Sequence, residues 1–120
     1  MLVLDTHVVL QALSGDLTPR ERAALSREPW SMSAISLWEV AKLAQLGRVE
    51  IDLDDADVVR ALARIHTWPI TLEISRESTR LDFKGDPADE LIAATSIVHG
   101  AALATRDRAI RRSRRVSLAW

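Results

Sequence analysis

Residues 2–10 read LVLDTHVVL, an apolar stretch that contains a single acidic side chain, Asp5. The run from Leu2 to Leu4 predicts a short buried strand, and the residues from His7 to Leu13 predict the first helix. A carboxylate buried between two apolar elements destabilises the fold unless a partner compensates its charge. We therefore expect Asp5 to have such a partner, and the identity of that partner bears on function.

The rest of the chain alternates short apolar runs with amphipathic segments. Further strands are predicted at 30–33, 69–72, 101–105 and 116–118. Further helices are predicted from position 18 and over 36–46, 54–66, 75–81 and 86–99, with a helical turn at 107–112. Strands that alternate with helices need crossover connections, so the sheet is expected to be mainly parallel. The predicted fold is α/β, one three-layer domain over residues 1–120 with helices flanking a central sheet.

Two segments have the form of a capping box at the start of a helix. The sequence TPRE at 18–21 adds a proline at the first helical position, and SLWE at 36–39 opens a helix that stops at Gly47. Glu39 is therefore predicted to lie in the first turn of its helix, where it either completes the cap or has a functional role. Trp38, in an apolar context, is predicted to lie in the core or at an interface.

Composition excludes several classes of function. The 120 residues contain no cysteine, which excludes disulfides, thiolate zinc sites and a cysteine nucleophile. The net charge of −1 and the 48% hydrophobic content are ordinary for a folded domain. Residues 1–13 lack the pattern of a secretory signal, and no apolar run approaches the ~18 residues of a membrane span. We expect a cytoplasmic protein with no membrane partner.

Four acidic residues are predicted to lie at one edge of the sheet. Asp5 and Asp107 follow strands, whereas Glu39 and Asp89 are placed in the first turns of helices. The carboxyl ends of parallel strands share one edge, where ligands bind in open α/β sheets. Each acid also has an ordinary alternative as a helix cap or a partner of the helix dipole, as has Asp86. Together the four predict an acidic pocket.

Such a pocket needs a means of neutralising its charge. Two like charges about 4 Å apart repel by about 4 kcal/mol at an effective dielectric constant of 20. Four carboxylates would therefore need raised pKa values or a multivalent cation. Oxygen ligands without cysteine favour Mg²⁺ or Mn²⁺ over zinc, and Mg²⁺ bound in this way commonly contacts phosphate. The pattern therefore favours metal-assisted hydrolysis of a phosphodiester.

Four segments together resemble the PIN-domain ribonucleases, and more narrowly the VapC toxins of bacterial toxin–antitoxin operons. They are LDTH at 4–7, SLWEVAKLAQLG at 36–47, GDPADELIAAT at 85–95 and LATRD at 103–107. The resemblance extends over residues 1–120 in order and spacing. It implies an endoribonuclease that uses Mg²⁺, with Mn²⁺ as a possible substitute. It also implies a homodimer and a small antitoxin protein that occludes the active site, often with a basic side chain.

The resemblance also implies roles for individual residues. The catalytic set falls on Asp5, Glu39, Asp89 and Asp107. The three aspartates would hold the metal, and the glutamate would position or deprotonate the attacking water or complete the metal shell. Supporting positions fall on Thr6, Thr105 and Asp86. Family members often have DPFDR where this chain has DPADE at 86–90, so an acid stands in place of a basic residue at position 90.

The segment RDRAIRRSRR at 106–115 holds six arginines. Such a cluster either tracks phosphate groups or forms a solvated surface at the end of a helix. Because the segment includes Asp107, we predict that part of it contacts RNA. The predicted RNA-binding residues are Arg106, Arg108, Arg111 and Arg112.

Two other functions stay open at this point. An aspartyl-phosphate phosphatase commonly has a second aspartate two residues after its nucleophile, where this chain has His7. We expect His7 instead to be a packed or orienting side chain. The other alternative is a catalytically inactive PIN-like module that binds RNA or a protein. Incubation with RNA in Mg²⁺ or in EDTA distinguishes the module from the nuclease.

Overall fold

Four parallel strands form the centre of the computed structural model, which describes residues 1–120. The strands are β1 (Leu2–Leu4), β2 (Trp30–Ser33), β3 (His66–Trp68) and β4 (Leu103–Ala104), in the order β3-β2-β1-β4. The helices are α1 (Thr6–Ser14), α2 (Pro19–Leu25), α3 (Ala34–Gln45), α4 (Ala56–Ala63), α5 (Leu72–Ser78), α6 (Pro87–His99) and α7 (Arg108–Arg111). The α/β class with a parallel sheet is confirmed. None of the seven helices has the length and hydrophobicity needed to span a bilayer.

β1 lies between β2 and β4 and divides the core into two layers. Val3 pairs with Ser31 on one side and with Leu103 on the other. Because successive side chains of a strand point to opposite faces, Leu2 and Leu4 pack with residues of α1 and α2, whereas Val3 packs against α6 and α7. The end of β1 is thereby held from both sides, and Asp5 follows it directly.

Three predicted strand boundaries differ from the structure. The third strand is at His66–Trp68 rather than at 69–72, since Pro69 cannot donate a backbone hydrogen bond and follows the strand. The stretch at 101–105 contributes only Leu103–Ala104 to the sheet, and 116–118 only a single bridge from Leu118 to Leu103. None of the three changes alters the parallel topology.

The two predicted capping boxes have different outcomes. In α2 the box is confirmed: Thr18 Oγ1 accepts from the Glu21 amide at 3.2 Å, and Glu21 Oε1 accepts from the Thr18 amide at 2.8 Å. In α3 it is wrong, because Ser33 caps the helix by accepting from the Ile35 amide at 3.2 Å. Glu39 is consequently the sixth helical residue and lies outside the first turn.

Removal of the α2 cap should destabilise the protein by about 0.5–2 kcal/mol, the usual cost of losing a side-chain oxygen at this position. The Thr18→Ala variant loses the bond from the Glu21 amide, whereas Thr18→Ser keeps an oxygen there. We expect a lower midpoint of urea denaturation for the alanine variant with an unchanged slope. Equal midpoints for the two variants would contradict this role of the cap.

The exposed face of α3 carries large apolar side chains. Trp38 is 56% exposed and Leu46 61% exposed, and Leu37 is also exposed. Of the two positions predicted for Trp38, the core is therefore wrong and an interface stays open.

Candidate active site

Asp5 links the first strand to the last. Its side chain is 5% exposed, and its Oδ2 accepts a hydrogen bond from the Thr105 hydroxyl at 2.7 Å. Thr105, which is fully buried, follows β4 directly and also accepts from the Asp107 amide through its hydroxyl at 3.0 Å. Burial raises the pKa of Asp5, against the lowering effect of the Thr105 hydrogen bond and of nearby His7. The partner of Asp5 within the protein is thus a neutral hydroxyl.

Asp107 caps the short helix α7. Its Oδ1 accepts from the Ile110 amide at 3.0 Å, so the capping alternative weighed from the sequence is correct for this residue. The Thr105–Asp107 hydrogen bond and this cap together determine the path of the chain after β4. Asp5 and Asp107 both bond to the Thr105 hydroxyl, so the two residues lie at the same edge of the sheet, and the charge of Asp107 contributes to raising the pKa of Asp5.

Glu39 reaches the site from the middle of α3. The Thr6 hydroxyl donates to Glu39 Oε1 at 2.6 Å and shares a second hydrogen bond with the Ser36 hydroxyl at 2.9 Å. Thr6 and Ser36 are fully buried, and they join α1 to α3. This contact, rather than a capping box, orients the Glu39 carboxylate.

Asp89 has the most strongly acidic surroundings of the four. It lies in the first turn of α6, is half-buried and makes no side-chain hydrogen bond within the protein. Burial, together with the charges of neighbouring acids, raises the pKa of Asp89 to about 6. Those acids are Asp5, Asp107, Glu39 and Asp86. Asp86 precedes α6 at the N-cap position, but its side chain makes no capping bond.

The structure therefore places Asp5, Glu39 and Asp107 within electrostatic range of Asp89. No lysine or arginine forms an ion pair with any of them. No group of three His, Cys, Asp or Glu side chains is placed to hold a metal ion directly. The acids thus form an anionic pocket rather than a closed cage of ligands. Such a pocket suits a divalent cation that keeps much of its water, as Mg²⁺ commonly does.

Comparison with known proteins identifies the family of the chain. The model of the PIN domain family matches residues 2–116. The chain is a PIN domain. Within the family it is 38% identical to Ribonuclease VapC22 of Mycobacterium tuberculosis, over 94% of this chain and 92% of that protein, and it belongs with the VapC proteins.

Solved structures show the same fold for this PIN domain. A toxin–antitoxin complex from Klebsiella pneumoniae matches with a TM-score of 0.75 at 23% identity, over 100% of this chain and 98% of that one. The VapBC2 complex from Rickettsia felis, bound to a DNA fragment from its promoter, matches with a TM-score of 0.72 at 16% identity, over 98% of this chain and 96% of that one. At these identities the likeness establishes the fold.

The arginine segment of the PIN domain separates into paired and unpaired side chains. Arg106 binds Glu21, and Arg111 donates to the backbone carbonyls of Thr105 at 3.0 Å and Trp120 at 2.8 Å. Arg108 and Arg112 are exposed and make no side-chain hydrogen bond within the protein. Arg108 and Arg112 therefore have all of their side-chain N–H donors free to contact a phosphate.

Sequence reasoning missed two side chains that matter here. Ser36 was interpreted as a helix cap, whereas it is buried against Thr6. Glu21 was interpreted only as part of a capping box, and no local pattern connects it with Arg106, 85 residues away. His7 is exposed, so of its two predicted roles packing is wrong and orienting stays a prediction.

A groove of about 600 Å³ lies beside the first turns of α1. Its floor is apolar and includes Leu10, Leu13 and Val58, and its rim carries Asp16 and Asp55 among other acids. His7, two residues after Asp5, also lines it. The groove therefore combines apolar and acidic side chains, and none of the four acids lines it.

Proposed function

We propose that this PIN domain is a Mg²⁺-dependent endoribonuclease, the toxin of a type II toxin–antitoxin system, that hydrolyses RNA phosphodiester bonds. The observation that carries the proposal is the set of four acids, none of which has a basic partner, around the half-buried Asp89. Carboxylates with no compensating cation in the protein fit a site for a divalent ion and a phosphate. The similarity to a protein named as a ribonuclease supports the same activity.

The residues of the pocket divide into two roles in this proposal. Asp5, Asp89 and Asp107 would hold Mg²⁺, or Mn²⁺ in its place, together with water, since no three such side chains are placed to bind an ion by themselves. When bound, the ion supplies Lewis-acid stabilisation of the phosphate and a more acidic water. Glu39 positions the attacking water or accepts its proton.

Neutral side chains orient these acids. The Thr105 hydroxyl fixes one oxygen of Asp5, and the Thr6 hydroxyl fixes one oxygen of Glu39, so that each carboxylate keeps another oxygen for the reaction. Asp86 makes no cap bond and adds negative charge next to Asp89. In this way the hydroxyls and Asp86 act as supporting residues.

Cleavage of RNA by the purified protein tests the proposal directly. We expect discrete fragments from a structured RNA with Mg²⁺ or Mn²⁺, and an intact substrate with EDTA. The RNA is supplied both as total RNA and as a defined transcript, so that a narrow target preference is not mistaken for inactivity. Binding of these RNAs without cleavage in either metal would favour the inactive binding module instead.

RNA contact is proposed to involve Arg108 and Arg112, the two unpaired side chains among the four arginines predicted to bind RNA. Their double replacement by glutamine should weaken RNA binding in EDTA and reduce the slope of log affinity against log salt by about 1.4, or about 0.7 for each lost phosphate contact. Arg115→Gln is the matched control, because that guanidinium binds Glu77 and the Arg80 carbonyl. An unchanged slope in the double variant would show that these arginines are only a solvated surface.

The partners follow from two surfaces. We infer that a small antitoxin protein binds along the groove beside α1, where apolar side chains suit its floor and basic side chains suit its acidic rim. The exposed apolar face of α3, with Trp38 and Leu46, supports a homodimer. RNA, the toxin and the antitoxin would meet in the cytoplasm.

A further inference from the structure

Every terminal nitrogen of Arg106 is used within the protein. Its Nε and Nη2 donate to the two carboxylate oxygens of Glu21 at 2.7 and 2.6 Å. Nη2 also donates to the Asp16 carbonyl at 3.2 Å. Nη1 donates to the Gln11 side-chain oxygen at 2.8 Å, in the amide orientation that gives both ends of Gln11 a partner. These contacts use four of the five N–H donors of Arg106, so one N–H of Nη1 is left for a phosphate.

The partners of Arg106 belong to the layer on one side of the sheet. Gln11 lies on α1, Asp16 in the loop after it, and Glu21 on α2. Glu21 is 5% exposed, and its carboxylate is held additionally by the Thr18 amide. The guanidinium therefore attaches the chain after β4 to a rigid part of the fold.

The neighbours of Arg106 in sequence are residues of the acidic pocket. The Thr105 hydroxyl donates to Asp5, and the Asp107 amide donates to that same hydroxyl. Asp107 in turn caps α7 through its own carboxylate. Consequently, a shift of the peptide at Arg106 would move both the group that orients Asp5 and one of the four acids.

We propose that the Arg106–Glu21 pair is a positioning device, which holds residues 105–107 so that Thr105 and Asp107 face Asp5. Arginine suits this task because its planar guanidinium binds a carboxylate through two parallel hydrogen bonds, which restricts orientation as well as distance. The geometry thus assigns Arg106 to the support of the site, in place of the RNA contact predicted from the sequence. The catalytic consequence of this role rests on the proposed nuclease function.

Amide hydrogen exchange of the metal-free protein tests the positioning without any activity. In Glu21→Gln, exchange at the Asp107 and Ile110 amides should accelerate about tenfold or more, because the loop that holds them is less restrained. Glu77→Gln is the matched control, since it removes a comparable ion pair with Arg115 away from the pocket. Unchanged exchange at both amides in Glu21→Gln would overturn the proposal.

Kinetics separate positioning from RNA contact. Glu21→Gln leaves every arginine in place. Its kcat should nevertheless fall about ten- to hundredfold, because Thr105 and Asp107 are misplaced, whereas its KM should stay within about twofold of the wild-type value. Arg106→Gln should lower kcat to a similar extent. The variant that carries both Glu21→Gln and Arg106→Gln should have a kcat no lower than that of either single variant. Arg106→Lys keeps the charge but not the paired bonds, so it should also lose kcat, and it replaces Arg106→Gln should that variant fail to fold.

Two outcomes distinguish the possible failures. If Arg106→Gln weakens RNA binding in EDTA whereas Glu21→Gln does not, Arg106 contacts RNA and the positioning role is wrong. If the wild-type protein cleaves no RNA but Glu21→Gln still accelerates exchange at Asp107 and Ile110, the nuclease function fails and the positioning role stands.

Discussion

Asp5→Asn should lower the rate of RNA cleavage by about 10²- to 10³-fold, the scale of losing one electrostatic contact to a transition state. Asparagine has the shape of aspartate and retains an oxygen that can accept from the Thr105 hydroxyl. The substitution therefore removes the charge while it keeps the link between β1 and β4. Cleavage of a defined RNA under single-turnover conditions in Mg²⁺ measures the effect.

Asp54→Asn is the control for this substitution, because Asp54 is an exposed acid in the segment before α4, outside the pocket. It should cleave RNA at the wild-type rate. Circular dichroism of both variants should match the wild type, which would separate lost chemistry from lost structure. Full activity of Asp5→Asn would contradict a direct role for its carboxylate.

Asp89→Asn should stabilise the metal-free protein at neutral pH. The folded state raises the pKa of Asp89 from 3.8 to about 6, so the unfolded chain ionises first as the pH rises. Stability is therefore lost between about pH 4 and pH 6, and the penalty is fully present above pH 6. A shift of about two units corresponds to about 3 kcal/mol, which solvent screening of a half-exposed group reduces to about 1–2 kcal/mol.

Thermal unfolding in EDTA measures this effect. At pH 7.5 the Tm of Asp89→Asn should exceed that of the wild type by about 3–10 °C, and below pH 4 the difference should vanish. Mg²⁺ should raise the wild-type Tm at pH 7.5 more than that of the variant, since it binds the charge that the variant lacks. A lower Tm for the metal-free variant at pH 7.5 would contradict the repulsion among the acids.

Local patterns predicted the part of the fold that surrounds Asp5. β1 and α1 can be predicted from the local sequence alone. A short apolar run is followed by an acid and then by apolar residues at helical spacing, so the hydrophobic period changes within a few residues. The start of α6 was also predicted from local sequence, because an aspartate and a proline at 86–87 are typical of a helix N-terminus. These two elements carry Asp5 and Asp89.

Other features depend on contacts between distant residues. Glu39 was predicted to reach the pocket from a first turn, but it does so from mid-helix, because Ser33 rather than Ser36 caps α3. The SLWE pattern is locally compatible with a helix cap at Ser36. In the structure, however, Ser36 is buried against Thr6 and does not cap the helix. The Arg106–Glu21 pair joins residues 85 positions apart, and no short-range signal specifies it. Tertiary packing decided both cases.

A crystal structure of the protein soaked in Mn²⁺, with anomalous diffraction data collected at the manganese edge, tests the central claim most directly. We expect one strong peak between Asp5, Asp89 and Asp107, with one or two carboxylate oxygens bound to the ion and water in the remaining positions. An anomalous map without a peak at these aspartates, from crystals of protein that cleaves RNA in the same Mn²⁺ concentration, would contradict the claim that the four acids are the metal-dependent centre.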